Sequence, residues 1–251
     1  MHPILFYLGH FPIYSYGVML GVAFLAGISW ALYHAPKYGV TKEAVMEVAS
    51  LCIIGAVVGS RLAYVMLHWN YYSQNLGKIF AVREGGLTFY GGVACALLLA
   101  VPYIFRKKYS LAAFFDLFSP PIALGYAIAR IGCFLNGCCY GRVTACSFFL
   151  LGVKFPYLYG CRYPTQLYSL GYSLVIFFIL LKLSRRSHFP GELFFDYLWL
   201  YGVARFFMEY LREEPFTIGG FLTVGQMSCV IIIALALFLK GLLQTRYEAR
   251  V

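Results

Sequence analysis

The sequence predicts an all-α polytopic membrane protein with about seven transmembrane helices and a small outer-face loop region. Three observations carry this. Of 251 residues, 61% are hydrophobic and 12% are charged, against roughly 25% charged in a soluble domain. The charges bunch between long apolar runs. Each run reaches the roughly 20 apolar residues that cross a bilayer as a helix. Seven such runs leave too little polar surface for a soluble protein with buried helices.

The runs lie at about 13–33, 45–67, 87–105, 112–135, 165–183, 192–211 and 222–243. The first begins after Met-His-Pro-Ile-Leu-Phe, which has no basic start and no early small-residue cleavage site, so it is expected to stay as a span. No linker, low-complexity segment or internal repeat appears, and residues 1–251 read as one integral membrane domain. Loop arginines and lysines set the orientation. Lys37, Lys42, Arg106, Lys107, Lys108, Lys182, Arg185, Arg186, Lys240, Arg246 and Arg250 fall on one side, eleven in all. Six fall on the other: Lys78, Arg83, Arg142, Lys154, Arg162 and Arg212. This predicts an outer N-terminus and a cytoplasmic C-terminus. The net charge of +10 is then a topology signal with basic flanks on anionic lipid heads, and no nucleic-acid partner is indicated.

The loop at about 136–164 is apolar for its position, with Phe148, Phe149, Leu150, Leu151, Phe155, Tyr157 and Tyr159. It reads as a small cap or an interfacial segment. Gly17/Gly21 and Gly55/Gly59 have the four-residue spacing of close helix packing. The segment from Glu84 to Gly92 holds four glycines, each costing about 1 kcal/mol in a helix. It reads as a broken stretch, which membrane depth tolerates only when buried in protein or lining a cavity.

Arg61, Arg130 and Arg205 fall inside predicted spans. A mid-bilayer arginine costs at least ~2.5–3.5 kcal/mol, stays charged, and grips phosphate through paired hydrogen bonds. Three with few intramembrane acids suggest an anion pocket. Tyr201, Arg205 and Glu209 share one helix face, either as a structural ion pair or as an arginine aimed by Glu209 at a ligand. Asp116 and Asp196 are further candidates for pairing with Arg61 or Arg130. In Ala129 through Arg142, glycines and an amide follow Arg130, and their backbone N–H groups suit an anion. Cys133, Cys138 and Cys139 lack the spacing of a zinc site or a Cys-x-x-Cys pair, so no metal and no cofactor are expected. Cys52, Cys95 and Cys229 read as core residues. Cys146 and Cys161 lie where the compartment allows a disulfide.

Taken in order, these segments resemble the bacterial prolipoprotein diacylglyceryl transferase family. Tyr14-Ser15-Tyr16-Gly17, Gly59-Ser60-Arg61, Glu84 through Gly92, Arg130 through Gly141, Pro164 through Tyr168, Tyr201 through Glu209 and Gly225-Gln226 each resemble one of its motifs. The resemblance implies a membrane enzyme that moves a diacylglyceryl group from phosphatidylglycerol to the lipobox cysteine of a preprolipoprotein, releasing glycerol 1-phosphate at the outer face of the inner membrane. Carried over, it implies that Arg130 and Arg205 hold the phosphate, with Tyr90, Glu209 and Tyr201 as further catalytic candidates. Tyr16, Arg61, Gly91, Gly92, Asn136, Gly137 and Gly141 would shape the substrate site. The chain departs from the family where the histidine is Tyr90, the signature's first asparagine is Cys133, its glutamate is Cys138, a later glutamate is Ser169 and its initial glycine is Ala129. The anion-binding half survives and the acid–base half is altered. A related enzyme with another acceptor and a non-enzymatic lipid-binding protein are the competing readings.

Overall fold

The structure is a computed structural model that describes residues 1–81, 85–146, 148–156, 158–186, 189–213, 217–218 and 222–249. Arg83, Glu84, Tyr157 and Arg250 lie outside the described residues. The helices are α1 (Ser15–His34), α2 (Lys42–Leu67), a single turn α3 (Trp69–Tyr72), α4 (Phe89–Arg106), α5 (Leu111–Asn136), α6 (Thr165–Leu183), α7 (Glu192–Glu209) and α8 (Val224–Glu248). Every expected span coincides with a long helix. Among the described residues six are long and apolar enough to cross a membrane. The exception is α7, whose eighteen residues include Glu192, Asp196, Arg205 and Glu209. That charge is tolerated because α7 packs against α6 and α8 and its acids have partners. Leu98 and Phe238 are exposed, as a lipid-facing surface requires.

The chain divides into two compact units, residues 1–31 with 115–251, and residues 32–114. In the second unit, α2 and α4 cross at the closest approach four glycines allow. A Cβ on Gly59 would stand 2.5 Å from the Gly91 carbonyl oxygen, one on Gly55 2.7 Å from Ala96 Cα, and one on Gly92 2.9 Å from the Ala56 oxygen. The packing expected of Gly55 and Gly59 is therefore present. Gly17 and Gly21 do not share it, since a Cβ on either would meet nothing within 4 Å.

In the larger unit, β1 (Ile4–Leu8) and β2 (Phe11–Tyr14) form an antiparallel hairpin ahead of α1, an element not anticipated. The 136–164 loop folds as a small cap. Strands β3 (Val143–Thr144), β4 (Val153–Lys154) and β5 (Cys161–Arg162) pair antiparallel in the order β3-β5-β4, and Cys146 is bonded to Cys161. Phe155 is buried under this cap, while Phe148 to Leu151 are exposed on it. A short pair, β6 (Thr217–Ile218) and β7 (Leu222–Thr223), leads into α8. There Thr223 and Gln226 form a reciprocal capping box, so Gln226 serves the helix start.

Among the described residues, neither Asp116 nor Asp196 pairs with Arg61 or Arg130. Asp116 accepts from the backbone N–H groups of Gly191 (2.6 Å) and Phe194 (3.1 Å) at the start of α7, where the helix dipole favours a carboxylate. Asp196 accepts from Lys240 at 2.7 Å, and Glu192 contacts the same ammonium at 3.1 Å.

Candidate functional site

The end of the larger unit opposite Asp116 gathers the last turns of α5 and α7 with the first turns of α6 and α8. Helix α5 stops because Gly137 adopts a left-handed φ of 73°. The Gly137 N–H donates to the Phe134 oxygen and the Cys138 N–H to the Cys133 oxygen, each 3.1 Å. This Schellman arrangement folds the residue two past the cap back over the helix's last turn. The start of α6 then clamps the turn. Thr165 Oγ1 donates to the Cys139 oxygen (2.7 Å) and Gln166 Nε2 to the Cys138 oxygen (2.6 Å). Gly141 must be glycine, because a Cβ there would stand 2.4 Å from the Leu211 oxygen.

Arg130, one turn and a half from the end of α5, is held by tyrosine. Its Nη2 donates to the Tyr126 hydroxyl at 2.7 Å and its guanidinium carbon lies 4.5 Å from the centre of that ring. Tyr126 is itself braced by Tyr172, whose hydroxyl donates to it at 3.2 Å, and by an edge contact with Tyr201. Among the described residues no carboxylate pairs with Arg130. Arg205 is one turn below the end of α7 and contacts Glu209 at 2.6 Å. The Glu209 carboxylate rests on the backbone of α8 at Gly225. Arg130, Arg205 and Arg212 line one slot with Tyr126, Cys139, Thr165, Ser169 and Met208. The slot holds about 20 Å³, room for roughly one water. A depression of about 300 Å³ bounded by Cys139, Tyr140, Arg212 and Glu213 shares two of its walls. The predicted pair therefore comes together. Sequence reasoning missed Tyr126 and Arg212, although Arg212 repeats the basic residue one turn beyond Glu209.

Tyr16 is half-exposed at the start of α1, packed where Gly132 leaves room, with a Cβ there 3.2 Å from Tyr16 Cα. Asn136 is exposed at the end of α5. Tyr201 supports Tyr126 through ring contacts. Four expected residues, Arg61, Tyr90, Gly91 and Gly92, lie in the second unit. Arg61 is 6% exposed, and its guanidinium donates to the carbonyls of Lys78 (2.6 Å), Ile79 (2.8 Å), Gly85 (2.7 Å) and Gly86 (3.1 Å). It staples a loop with four of its five N–H donors. Gly91 and Gly92 are helix-packing points against α2, since a Cβ on Gly91 would stand 2.7 Å from the Gly59 oxygen. Tyr90 lies in the first turn of α4, 82% exposed.

The three cysteines left aside on spacing grounds come together. The Sγ atoms of Cys133, Cys138 and Cys139 all lie within 4.8 Å of one another. Arg130 Nη1 approaches Cys133 Sγ at 3.9 Å. Hydrogen bonds from the Cys133 and Cys138 thiols, and then the charge of Arg130, hold the Cys139 thiol well below its usual value.

A sequence model of the family described as prolipoprotein diacylglyceryl transferase matches residues 3–241. Over 240 residues the chain is 33% identical to the phosphatidylglycerol–prolipoprotein diacylglyceryl transferase of Bacillus mycoides (strain KBAB4), covering 92% of this chain and 88% of that one. It is 32% identical, with the same coverage, to those of Bacillus cereus (strain G9842) and Bacillus anthracis (strain A0248).

Proposed function

The chain belongs to the prolipoprotein diacylglyceryl transferase family, and from that premise we propose that it moves the diacylglyceryl group of phosphatidylglycerol to the lipobox cysteine of preprolipoproteins. The observation that carries this is the shared slot of Arg130, Arg205 and Arg212. In the reaction the acceptor sulfur forms a bond to the glyceryl carbon as that carbon's bond to the phosphate oxygen breaks. The electron pair stays on the phosphate, glycerol 1-phosphate leaves, and the thiol proton is lost. Guanidinium groups fixed beforehand stabilise the charge that develops on the leaving oxygen. Tyr126 orients Arg130, and Glu209 orients Arg205. The protein sits in the bacterial inner membrane as a multi-pass chain, N-terminus outside and C-terminus cytoplasmic, with this site toward the outer face.

The joint departure from the resembled motifs at Tyr90, Cys138 and Ser169, where a histidine and two carboxylates are lost, favours a second reading, a related enzyme with a different acceptor. Purified protein mixed with phosphatidylglycerol and a lipobox peptide decides by product mass. A thioether adduct on the peptide cysteine is expected. Adducts on another acceptor with none on that cysteine would overturn the first reading.

A further inference from the structure

We propose that Cys133, Cys138 and Cys139 form a three-sulfur zinc site whose fourth position takes the acceptor thiol. The proposal rests on the transferase reading for the identity of that thiol, and on geometry alone for the metal. Catalytic zinc keeps three protein ligands and an open position, with Zn–S bonds of ~2.3 Å. Tetrahedral geometry at that length sets sulfurs about 3.8 Å apart. The three sulfurs already lie within 4.8 Å, and small side-chain rotations close the difference.

The backbone is built to hold them. A helix interior cannot bring residues five and six apart onto one point, but the Schellman turn returns Cys138 over Cys133, with Cys138 Sγ 3.7 Å from the Cys133 oxygen. Cys139 takes a left-handed φ of 63°, which a non-glycine residue adopts only when its surroundings impose it. Thr165 and Gln166 impose it through the Cys138 and Cys139 carbonyls.

Charge fits as well. Zinc with three thiolates carries one net negative charge, and Arg130 lies against Cys133. Cys139 is the exposed member and borders both the arginine slot and the larger depression. A thiol bound at the fourth position therefore sits beside the groups that would hold the donor phosphate. Coordination to zinc deprotonates a thiol, and the proton passes to water. The bound sulfur then forms its carbon bond while the carbon–oxygen bond breaks. The resulting thioether, uncharged, is a weaker ligand and leaves. This supplies the activation that the altered acid–base residues no longer provide, and it leaves Tyr90 without that task.

The test uses the full chain, reduced at these thiols, in lipid nanodiscs. One zinc per chain is expected by metal analysis, and cobalt substitution should give a sulfur-to-metal charge-transfer band. Both should be lost in the Cys133→Ser/Cys138→Ser/Cys139→Ser variant and largely lost in Cys139→Ser, each checked for unchanged thermal unfolding. Adding a lipobox peptide to the cobalt form should shift the band, and the same peptide with serine for cysteine should not. Metal-free protein that turns over, or isolation with two of the three sulfurs joined as a disulfide, overturns the site. Zinc binding with no response to the peptide thiol overturns the open-position role. Zinc and a thiol-dependent shift with no lipid transfer would instead remove the transferase reading and leave the site standing.

Discussion

Replacing Gly225 by alanine should damage the site while sparing the fold. A Cβ at Gly225 would meet Oε1, Cδ and Oε2 of Glu209 at 2.5, 2.7 and 3.1 Å. Relaxed contacts need about 3.5 Å, so the carboxylate must retreat by about 1 Å. It is the far end of a flexible side chain, so the backbone of α8 need not move. Alanine is also the better helix residue by up to about 1 kcal/mol, which offsets the rearrangement. Thermal unfolding should therefore stay within about 4 °C of the parent. The ion-pair contact from Arg205 to Glu209, 2.6 Å, lengthens once the carboxylate withdraws that far, and its attraction weakens with distance. Moving a partly buried carboxylate off its charge partner costs on the order of 1–3 kcal/mol. If Glu209 aims Arg205 at the phosphate, kcat/KM should fall by about 10- to 100-fold. The assay is lipid transfer to a lipobox peptide by purified protein in Gly225→Ala, Glu209→Gln and the double variant. In the Glu209→Gln background the alanine should add less than about threefold, because both changes act through one contact. Additive losses, or parental kcat/KM in Gly225→Ala, would refute the positioning argument.

Other substitutions separate the remaining roles. Arg130→Lys keeps the charge but loses the flat face over Tyr126 and the paired phosphate geometry, so kcat/KM should fall about 100-fold at unchanged membrane yield; parental activity would show that charge alone suffices there. Arg61→Ala strips partners from four carbonyls and should lower stability by at least about 2 kcal/mol, read as earlier thermal unfolding, with the folded fraction still active. Gly59→Ala sets a Cβ 2.5 Å from a backbone oxygen and should cost about 1–3 kcal/mol, whereas Gly17→Ala should cost nothing measurable; equal behaviour of the two would undo the packing account.

The helices were legible because hydropathy alone marks a span, and ends set by Gly137 or the Thr223–Gln226 box moved them by only a few residues. Arg130 and Arg205 were legible because a charge at that depth needs a reason. Arg61 looked the same in sequence, yet its partners are backbone carbonyls, which no sequence pattern displays. Gly91 and Gly92 carry a related ambiguity. A glycine that admits a ligand and one that admits a neighbouring helix are written with the same letter, and only the 2.7 Å approach to the Gly59 oxygen separates them. The cysteines failed a spacing test made for loops and knuckles. Their convergence depends on a helix cap, for which Gly137 was the available signal.

The helix ends around the slot nearly cancel, so its field is set by side chains. The C-termini of α5 and α7 each present about −0.5 charge, and the N-termini of α6 and α8 each about +0.5. The backbone thus contributes close to nothing toward binding an anion. Three guanidiniums against the Glu209 carboxylate and the Cys139 thiolate leave a net charge of about +1. A phosphodiester brings −1, and its leaving monoester brings close to −2. The slot therefore stays net positive toward the phosphate, and added negative charge on the leaving oxygen gains further attraction from it, which is the direction transition-state stabilisation requires. Arg212, only a distant 4.0 Å partner of Glu209 and half-exposed, is the member of the three free to follow the phosphate as its charge grows.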